Sequence, residues 1–559
     1  MPPAHLGNCR SAGKCPMCGA LVQGWRMTSL ACPPGTMAMP PVKSFEGNGS
    51  QSVLYHRESP PGSRVVTECF LRGWEPGNER SDMFQTSPLS RRHALKNLAC
   101  GFGYLALAGL AAERARAGLA NPIGLRLAHH TPRAKRVIFL FMQGGVSHVD
   151  SFDYKPLLDA KDGQMLAFDD ARKIANSGKR EGSSQRVMKP LWKFAQHGQS
   201  GRWGSDLFPH MARKADDLCF LHSLHTEGVA HGPATLFLHC GSTNFIRPSI
   251  GSWVSYGLGA ENENLPAFVS LNPSSGNGGP RNFGNAFLPS IHQGTGIGKA
   301  GSPIAEASIR NLTNPKLSPA EQRRSFELMQ ELNAEQLKRH PGDSELEAVI
   351  NSYELAWRMQ RNAPDVLDLS KESPATLALY GIGEKPTDNF GRQCLMARRL
   401  CESGVRYVQV TYGDNSANPA WDQHSNLPKH KDHALAVDKP VAGLLEDLKQ
   451  RGLLEDTVVW WGGEFGRTPY AEKNGTGRDH NPGGFTVWLA GGGVKPGIAY
   501  GATDEWGHLA VDNKIHMHDL HATILHLLGL DHEKLTYRFD GRDFRLTDVH
   551  GHVVKDIIA

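Results

Sequence analysis

Cysteine is scarce: there are 10 in 559 residues, and only Cys219, Cys240, Cys394 and Cys401 lie beyond residue 117. So sparse a set excludes a disulfide-built scaffold for a chain of this size. Long apolar runs are nearly missing too, since only Leu98–Ala112 approaches spanning length. That excludes a membrane bundle. A basic surplus is missing from the body of the chain. Residues 1–117 hold 13 of the 61 Lys/Arg and 7 of the 56 Asp/Glu, which leaves 48 against 49 for residues 118–559. A body so balanced offers no nucleic-acid surface. Histidine is what the chain has in excess. Of its 26, 23 follow residue 117, about double ordinary usage, and surplus imidazole points to metal or proton chemistry.

Ser90-Arg91-Arg92-His93-Ala94-Leu95-Lys96 precedes the apolar run, and Ala115-Arg116-Ala117 closes it. A positive start, an apolar middle and an A-x-A end predict a cleavable export signal over residues 83–117. The paired arginines give it the twin-arginine form, which serves proteins exported already folded. The expected location is periplasmic or extracellular, with no stable membrane span once the signal is removed. Residues 1–82 mix Pro, Gly, Ser and charge without periodicity. They read as a disordered leader or an over-extended start, with Met83 as the true first residue. Cys15-Pro-Met-Cys18 has no second C-x-x-C or His pair at finger spacing, so it predicts no zinc site.

From about residue 130 to 559 the pattern is one alternating α/β domain. Arg136–Met142, Val405–Thr411, Thr457–Trp461 and Phe485–Ala490 are short apolar runs bounded by Gly or polar residues, as buried parallel strands are. Helical patterns fall at Phe390–Glu402, Pro440–Lys449 and His518–Leu528. Alternation of this kind predicts a central, mostly parallel sheet covered by helices on both faces. Ser318-Pro-Ala-Glu321 is a capping box, and Leu346, Ile350, Tyr353 and Trp357 recur at helical spacing. Together they predict a helical insertion over about 318–362 that caps the sheet. The stretch 271–303 is rich in Gly, Ser, Asn and Pro, a long loop of the functional or mobile kind.

Polar clusters gather where the strands end, which is where such sheets place their chemistry. They are Gln143 to Asp150, Gly413-Asp414, Trp421-Asp422-Gln-His424, Glu464 to Arg467, and Arg478-Asp479-His480. Carboxylate beside imidazole suits a divalent cation, which activates water or stabilises ester-oxygen charge. His231-Gly-Pro233-Ala-Thr235 opens a further helix. A helix N-terminus stabilises an anion or nucleophile there, and lowers the pKa of a histidine toward the neutral ring. Asp519 reads as a helix N-cap.

The stretches Lys135–Pro156, Arg247–Leu271, Gly391–Gly413, Trp421–Asn426, Gly462–Pro469 and Gly477–Val554 resemble a planctomycete-rich bacterial family of exported, sulfatase-like proteins of unassigned function. That family lies within the alkaline phosphatase-like superfamily, whose members cleave phosphate or sulfate esters at one or two metals. The resemblance implies an alkaline phosphatase-like fold and a metal held by Asp422, His424 and His480, with Glu464 as a further ligand. Zinc, manganese or calcium would serve. It implies His231 at the nucleophile's position, and Arg467 or Arg478 holding an anionic ester or sulfated glycan bidentately. Two departures stand out. Gln143 occupies the place of the superfamily's first metal-binding Asp, and His231 that of the formylglycine precursor. A degenerate member that binds such a glycan, or a partner in an exported assembly, without turnover is the alternative.

Overall fold

The run Arg136–Met142 forms strand β1, buried at every position. The computed structural model describes residues 124–168, 183–307, 316–340, 343–472 and 475–559. The expected leader and export signal lie outside the described residues. After β1 come β2 (Leu218–His225), β3 (Phe268–Leu271), β4 (Thr295–Ile297), β5 (Tyr407–Tyr412) and β6 (Thr457–Gly462). They are followed by β7 (Gly466–Ala471), β8 (Arg478–Asn481), β9 (Phe485–Ala490), β10 (Ile498–Tyr500) and β11 (Ile515–His516). Nine of these strands make one sheet in the order β10-β2-β9-β6-β1-β5-β3-β4, with β11 also on β2, while β7 and β8 pair as a separate hairpin. Strand β9 runs antiparallel to β6 and β2, and the other pairings are parallel. The parallel direction expected for Phe485–Ala490 is therefore wrong. A parallel return needs a long crossover, usually a helix, and β6 is joined to β9 through the β7–β8 hairpin instead.

The longer helices are α1 (His231–Cys240), α2 (Ile250–Leu258), α3 (Pro319–Arg339), α4 (Ser344–Leu367), α5 (Asp388–Glu402), α6 (His430–Gln450) and α7 (Met517–Leu527). Successive side chains of β1 feed two cores, as the period of two requires. Val137, Phe139 and Phe141 pack with Phe237 of α1, Trp253 of α2 and Ile524 of α7. Ile138, Leu140 and Met142 pack with Leu395 of α5 and Val441 and Leu444 of α6. Each such side chain contributes about 1.5–3 kcal/mol by leaving water. Helices thus cover both faces, and the loops at the strands' carboxyl ends stay open to carry chemistry. Helix α6 begins at His430, ten residues before the expected start, with Pro440 inside it. The lost N–H is tolerated because Val437, Val441, Leu444 and Leu448 remain fully buried along one face.

The insertion is present as α3 and α4. Ser318 Oγ accepts from the Glu321 N–H, and the Glu321 carboxylate accepts from the Ser318 N–H at 2.8 Å. Trp357 of the expected stripe stacks on Phe326 of α3. Leu355 and Met359, on another face, bury against Ala260, Ala267 and Ile291. Since Ala267 directly precedes β3, the insertion covers the start of that strand and not the carboxyl ends. The stretch 271–303 contributes β4, an edge strand of the sheet, so it is partly built into the fold. Cys219, Cys240, Cys394 and Cys401 are free and buried. Among the described residues no helix is long and apolar enough to cross a membrane.

Candidate metal centre

Four side chains from three separate segments converge beyond the strand ends: His231, Asp422, His424 and His480, with one ligand atom of each within 4.8 Å of the others. His231 is the first residue of α1, after the N-cap Ala230. Asp422 and His424 lie on the loop that follows β5. His480 lies on β8, paired across the hairpin with Arg467. Two glycines allow these loops to touch. Gly144 has φ +113°, and a Cβ there would stand 2.7 Å from the Asp422 nitrogen. A Cβ on Gly477 would stand 2.2 Å from the His424 carbonyl oxygen. Any side chain at either position would push a ligand loop away.

The outer nitrogen of each imidazole is fixed. His231 Nδ1 donates to Glu464 Oε1 at 2.8 Å, His424 Nδ1 to Glu472 Oε2 at 2.5 Å, and His480 Nδ1 to the Val229 carbonyl at 2.6 Å. Carboxylates and carbonyls only accept, so each Nδ1 carries a proton, and each Nε2 presents a lone pair whenever its ring is neutral. Those lone pairs face one carboxylate. His231 Nε2 is 3.1 Å from Asp422 Oδ2, and the Nε2 atoms of His424 and His480 lie 2.9 and 3.2 Å from Oδ1. The latter two nitrogens are 3.0 Å apart. Acceptor facing acceptor in a buried site is untenable unless a proton or a cation sits between them. Imidazoles anchored at Nδ1 and converging at Nε2 are the arrangement by which proteins orient metal-binding histidines. Phe465 stacks on His480, ring centres 4.2 Å apart, and so sets the plane of that ring.

Titration of the ion-free protein reflects the same crowding. Burial opposes a charge on His231, but the hydrogen bonds and charges of Asp422 and Glu464 overcome it and push its pKa up to about 9. The expected lowering by the helix terminus is overturned: two carboxylates within 3.1 Å outweigh a partial dipole. Burial would raise the Asp422 pKa, yet bonds from His231, His424 and His480 and the Arg467 charge hold it well below the usual range. His424 is raised by its bond to Asp422. His480 is lowered to about 4, first by burial and then by the Arg467 and His231 charges, despite its bond to Asp422. A pH prediction follows. His231 titrates near 6.5 unfolded and about 9 folded, so the stability it lends the ion-free protein is complete below pH 6.5 and disappears as pH rises through 9. A metal must displace that proton, so its affinity should rise about tenfold per pH unit over the window. Thermal unfolding with and without metal from pH 6 to 10 would show the metal-dependent gain in Tm growing with pH. A constant gain would exclude His231 as a ligand.

Several residues read from the sequence are placed elsewhere. Glu464 is not in the cluster. Its carboxylate is fully buried behind His231, where both oxygens also accept the Gly144 N–H, at 3.0 and 3.1 Å. It orients His231 from outside the cluster. Arg467 and Arg478 are both 0 % exposed, which overturns the expected anion clamp. Arg467 donates to Asp422 Oδ1 at 2.8 Å, to the Gly145, Arg478 and Trp421 carbonyls at 3.0, 3.1 and 3.2 Å, and to the Gly144 carbonyl. Arg478 donates to Asp150 Oδ2 at 2.7 Å and to the carbonyls of Thr468, Met188 and Lys189 at 3.1 Å. These guanidiniums tie loops together and have no fork left for a ligand. Asp150 is thereby an ion-pair partner, and His148 bonds the Gly507 carbonyl at 2.7 Å. Asp519 is the third residue of α7 and closes a capping box on the N-cap His516, accepting its N–H at 2.8 Å. Glu472 was missed, because nothing in its spacing ties it to a ligand histidine.

A mostly parallel sheet with imidazoles and a carboxylate converging past its strand ends defines an α/β protein with a candidate metal centre. Residues 134–558 match the family described as protein of unknown function (DUF1501), and the chain belongs to that family. No curated protein matches it. Among solved structures it is similar to the PsFucS1 sulfatase from Pseudoalteromonas sp., at 12% identity over 72% of this chain and 69% of that one, with TM-score 0.32. It is similar to a protein in the alkaline phosphatase superfamily from Vibrio parahaemolyticus, at 9% identity over 73% and 69%, TM-score 0.31. It is also similar to alkaline phosphatase from the Antarctic bacterium TAB5, at 8% identity over 71% and 98%, TM-score 0.27.

Proposed function

We propose that the protein is an exported, metal-dependent hydrolase of phosphate or sulfate esters. The observation that carries this reading is the set of three Nε2 lone pairs directed at one buried carboxylate, which only a cation or extra protons can reconcile. Three nitrogens and one carboxylate form a donor set that suits zinc or manganese; calcium prefers six to eight oxygens. A divalent ion there supplies positive charge that polarises an ester oxygen and acidifies water. Asp422 neutralises part of that charge, Glu464 and Glu472 hold His231 and His424 in their tautomers, and the Gly144 turn brings the loops together. The test is metal content of the protein purified from its producing cell, then hydrolysis of aryl phosphate and aryl sulfate. Metal-replete protein inactive on both esters would refute the reading.

A second reading is supported by the two buried arginines. Beside them, Gln143 and His231 stand where the superfamily that the sequence resembles has its first metal-binding Asp and its formylglycine precursor, which favours a member that binds a phosphorylated or sulfated glycan without turning it over. Export is part of the same proposal: residues 83–125 should carry a fold-dependent reporter out of the cytoplasm, and Arg91→Lys with Arg92→Lys should block it. Reporter left in the cytoplasm by the unaltered segment would refute export.

A further inference from the structure

His231, Thr235 and His239 follow one another at i, i+4 and i+8 on α1 and so share a face. His239 stands edge-on to Phe141 of β1, ring centres 4.9 Å apart, which sets that face against the sheet. Thr235 lies one turn from His239 toward His231, about 6 Å along the helix. Gln143 lies two residues beyond Phe141, about 6.6 Å along the strand, and on the same face because the strand period is two. It keeps the strand's register, its N–H donating to the Tyr412 carbonyl at 3.0 Å. Those rises set Gln143 and Thr235 at one level, a helical turn beneath His231.

Both are 0 % exposed. Neither amide atom of Gln143 nor the Thr235 hydroxyl has a hydrogen-bond partner among the described residues. Buried polar groups are ordinarily partnered, and an exception calls for an explanation, a bound ion or ligand among them. The Gln143 backbone is held beside the cluster: its carbonyl accepts the Trp421 N–H at 3.1 Å, next to Asp422, and the following N–H, of Gly144, donates to the Glu464 carboxylate. A Cβ on Gly413 would come within 2.2 Å of Gln143 Oε1, so the amide lies over the end of β5. An amide N–H and a hydroxyl are donors that bind an oxyanion without adding charge. They are what this site offers, since both arginines are occupied.

We propose that the Gln143 carboxamide and the Thr235 hydroxyl form a subsite for an oxygen of a tetrahedral oxyanion group, phosphate or sulfate, on the inner side of the histidine–aspartate centre. The proposal rests on the ester-hydrolase reading. Calorimetric titration of inorganic phosphate and, separately, inorganic sulfate into zinc- or manganese-loaded protein tests it and tells the two anions apart. Gln143→Leu and Thr235→Val should each weaken binding about tenfold or more, with metal content unchanged, while Thr235→Ser should retain it. Should Gln143→Leu fail to fold, the Thr235 pair still decides. Equal anion affinity in wild type, Gln143→Leu and Thr235→Val would overturn the subsite and leave the hydrolase reading intact. Metal-loaded wild type that binds neither anion and cleaves neither ester would overturn both.

Discussion

Asp422→Asn is expected to lower bound divalent metal at least about a hundredfold and to destabilise the fold even without metal. Asn keeps the shape of Asp but not its charge, and its amide hydrogens turn toward imidazole nitrogens that need a cation. Outer contacts alone are worth about 10–100-fold in metal affinity, so loss of the only charged ligand sets that range as a floor. The second effect comes from Arg467. Its guanidinium is 0 % exposed and donates to Asp422 at 2.8 Å. Removing one member of a buried ion pair costs about 3–5 kcal/mol, because the other charge stays buried. The two effects separate experimentally. Metal content per folded protein reports the first, and unfolding of chelator-treated protein reports the second. Wild-type metal content in Asp422→Asn would reduce the cluster to an ion-pair network. His424→Ala should be milder in the ion-free protein, since its side chain is 29% exposed and water can replace it.

The contrast between these residues shows what the sequence could convey. Arg136–Met142 is legible as a central strand because burial on both faces leaves a continuous apolar run. Phe485–Ala490 has the same composition for the same reason, and direction leaves no trace in composition. Only the connection carries it: a hairpin with no helix between β6 and β9. The candidate ligands Asp422, His424 and His480 were legible as polar residues in strand-end loops, a rule about where α/β sheets place chemistry. His231 was legible from Pro233, which marks the first turn of α1, though its role as a partner of Asp422 was not. Glu464 shows the limit. A carboxylate after Gly462-Gly463 looks the same whether it faces an ion or the far side of a ligand's ring, and only the 2.8 Å contact to His231 Nδ1 decides. The arginines erred in the same way. An Arg near a candidate anion site reads as a clamp until its burial is known, and burial is a property of the tertiary fold.

Arg478→Met should therefore act on stability and not on ligand recognition. Arg478 and Asp150 are both fully buried and bonded at 2.7 Å, and Asp150 also accepts from Ser147 Oγ at 2.5 Å and from the Leu191 N–H at 2.8 Å. The guanidinium further caps three carbonyls, so its loss strands a carboxylate and several acceptors at once. The expected cost is about 3–5 kcal/mol, read as a lower urea midpoint and a Tm lower by several degrees. Asp150→Asn combined with Arg478→Met should recover part of the loss, because no buried charge is then left alone and the amide still accepts from Ser147 or Leu191. An anion clamp would behave otherwise. Arg478→Met would then leave the urea midpoint near wild type and weaken binding of inorganic phosphate or sulfate, and the second substitution would restore nothing. The double-mutant cycle thus separates an arginine that builds the floor of the site from one that reaches into it.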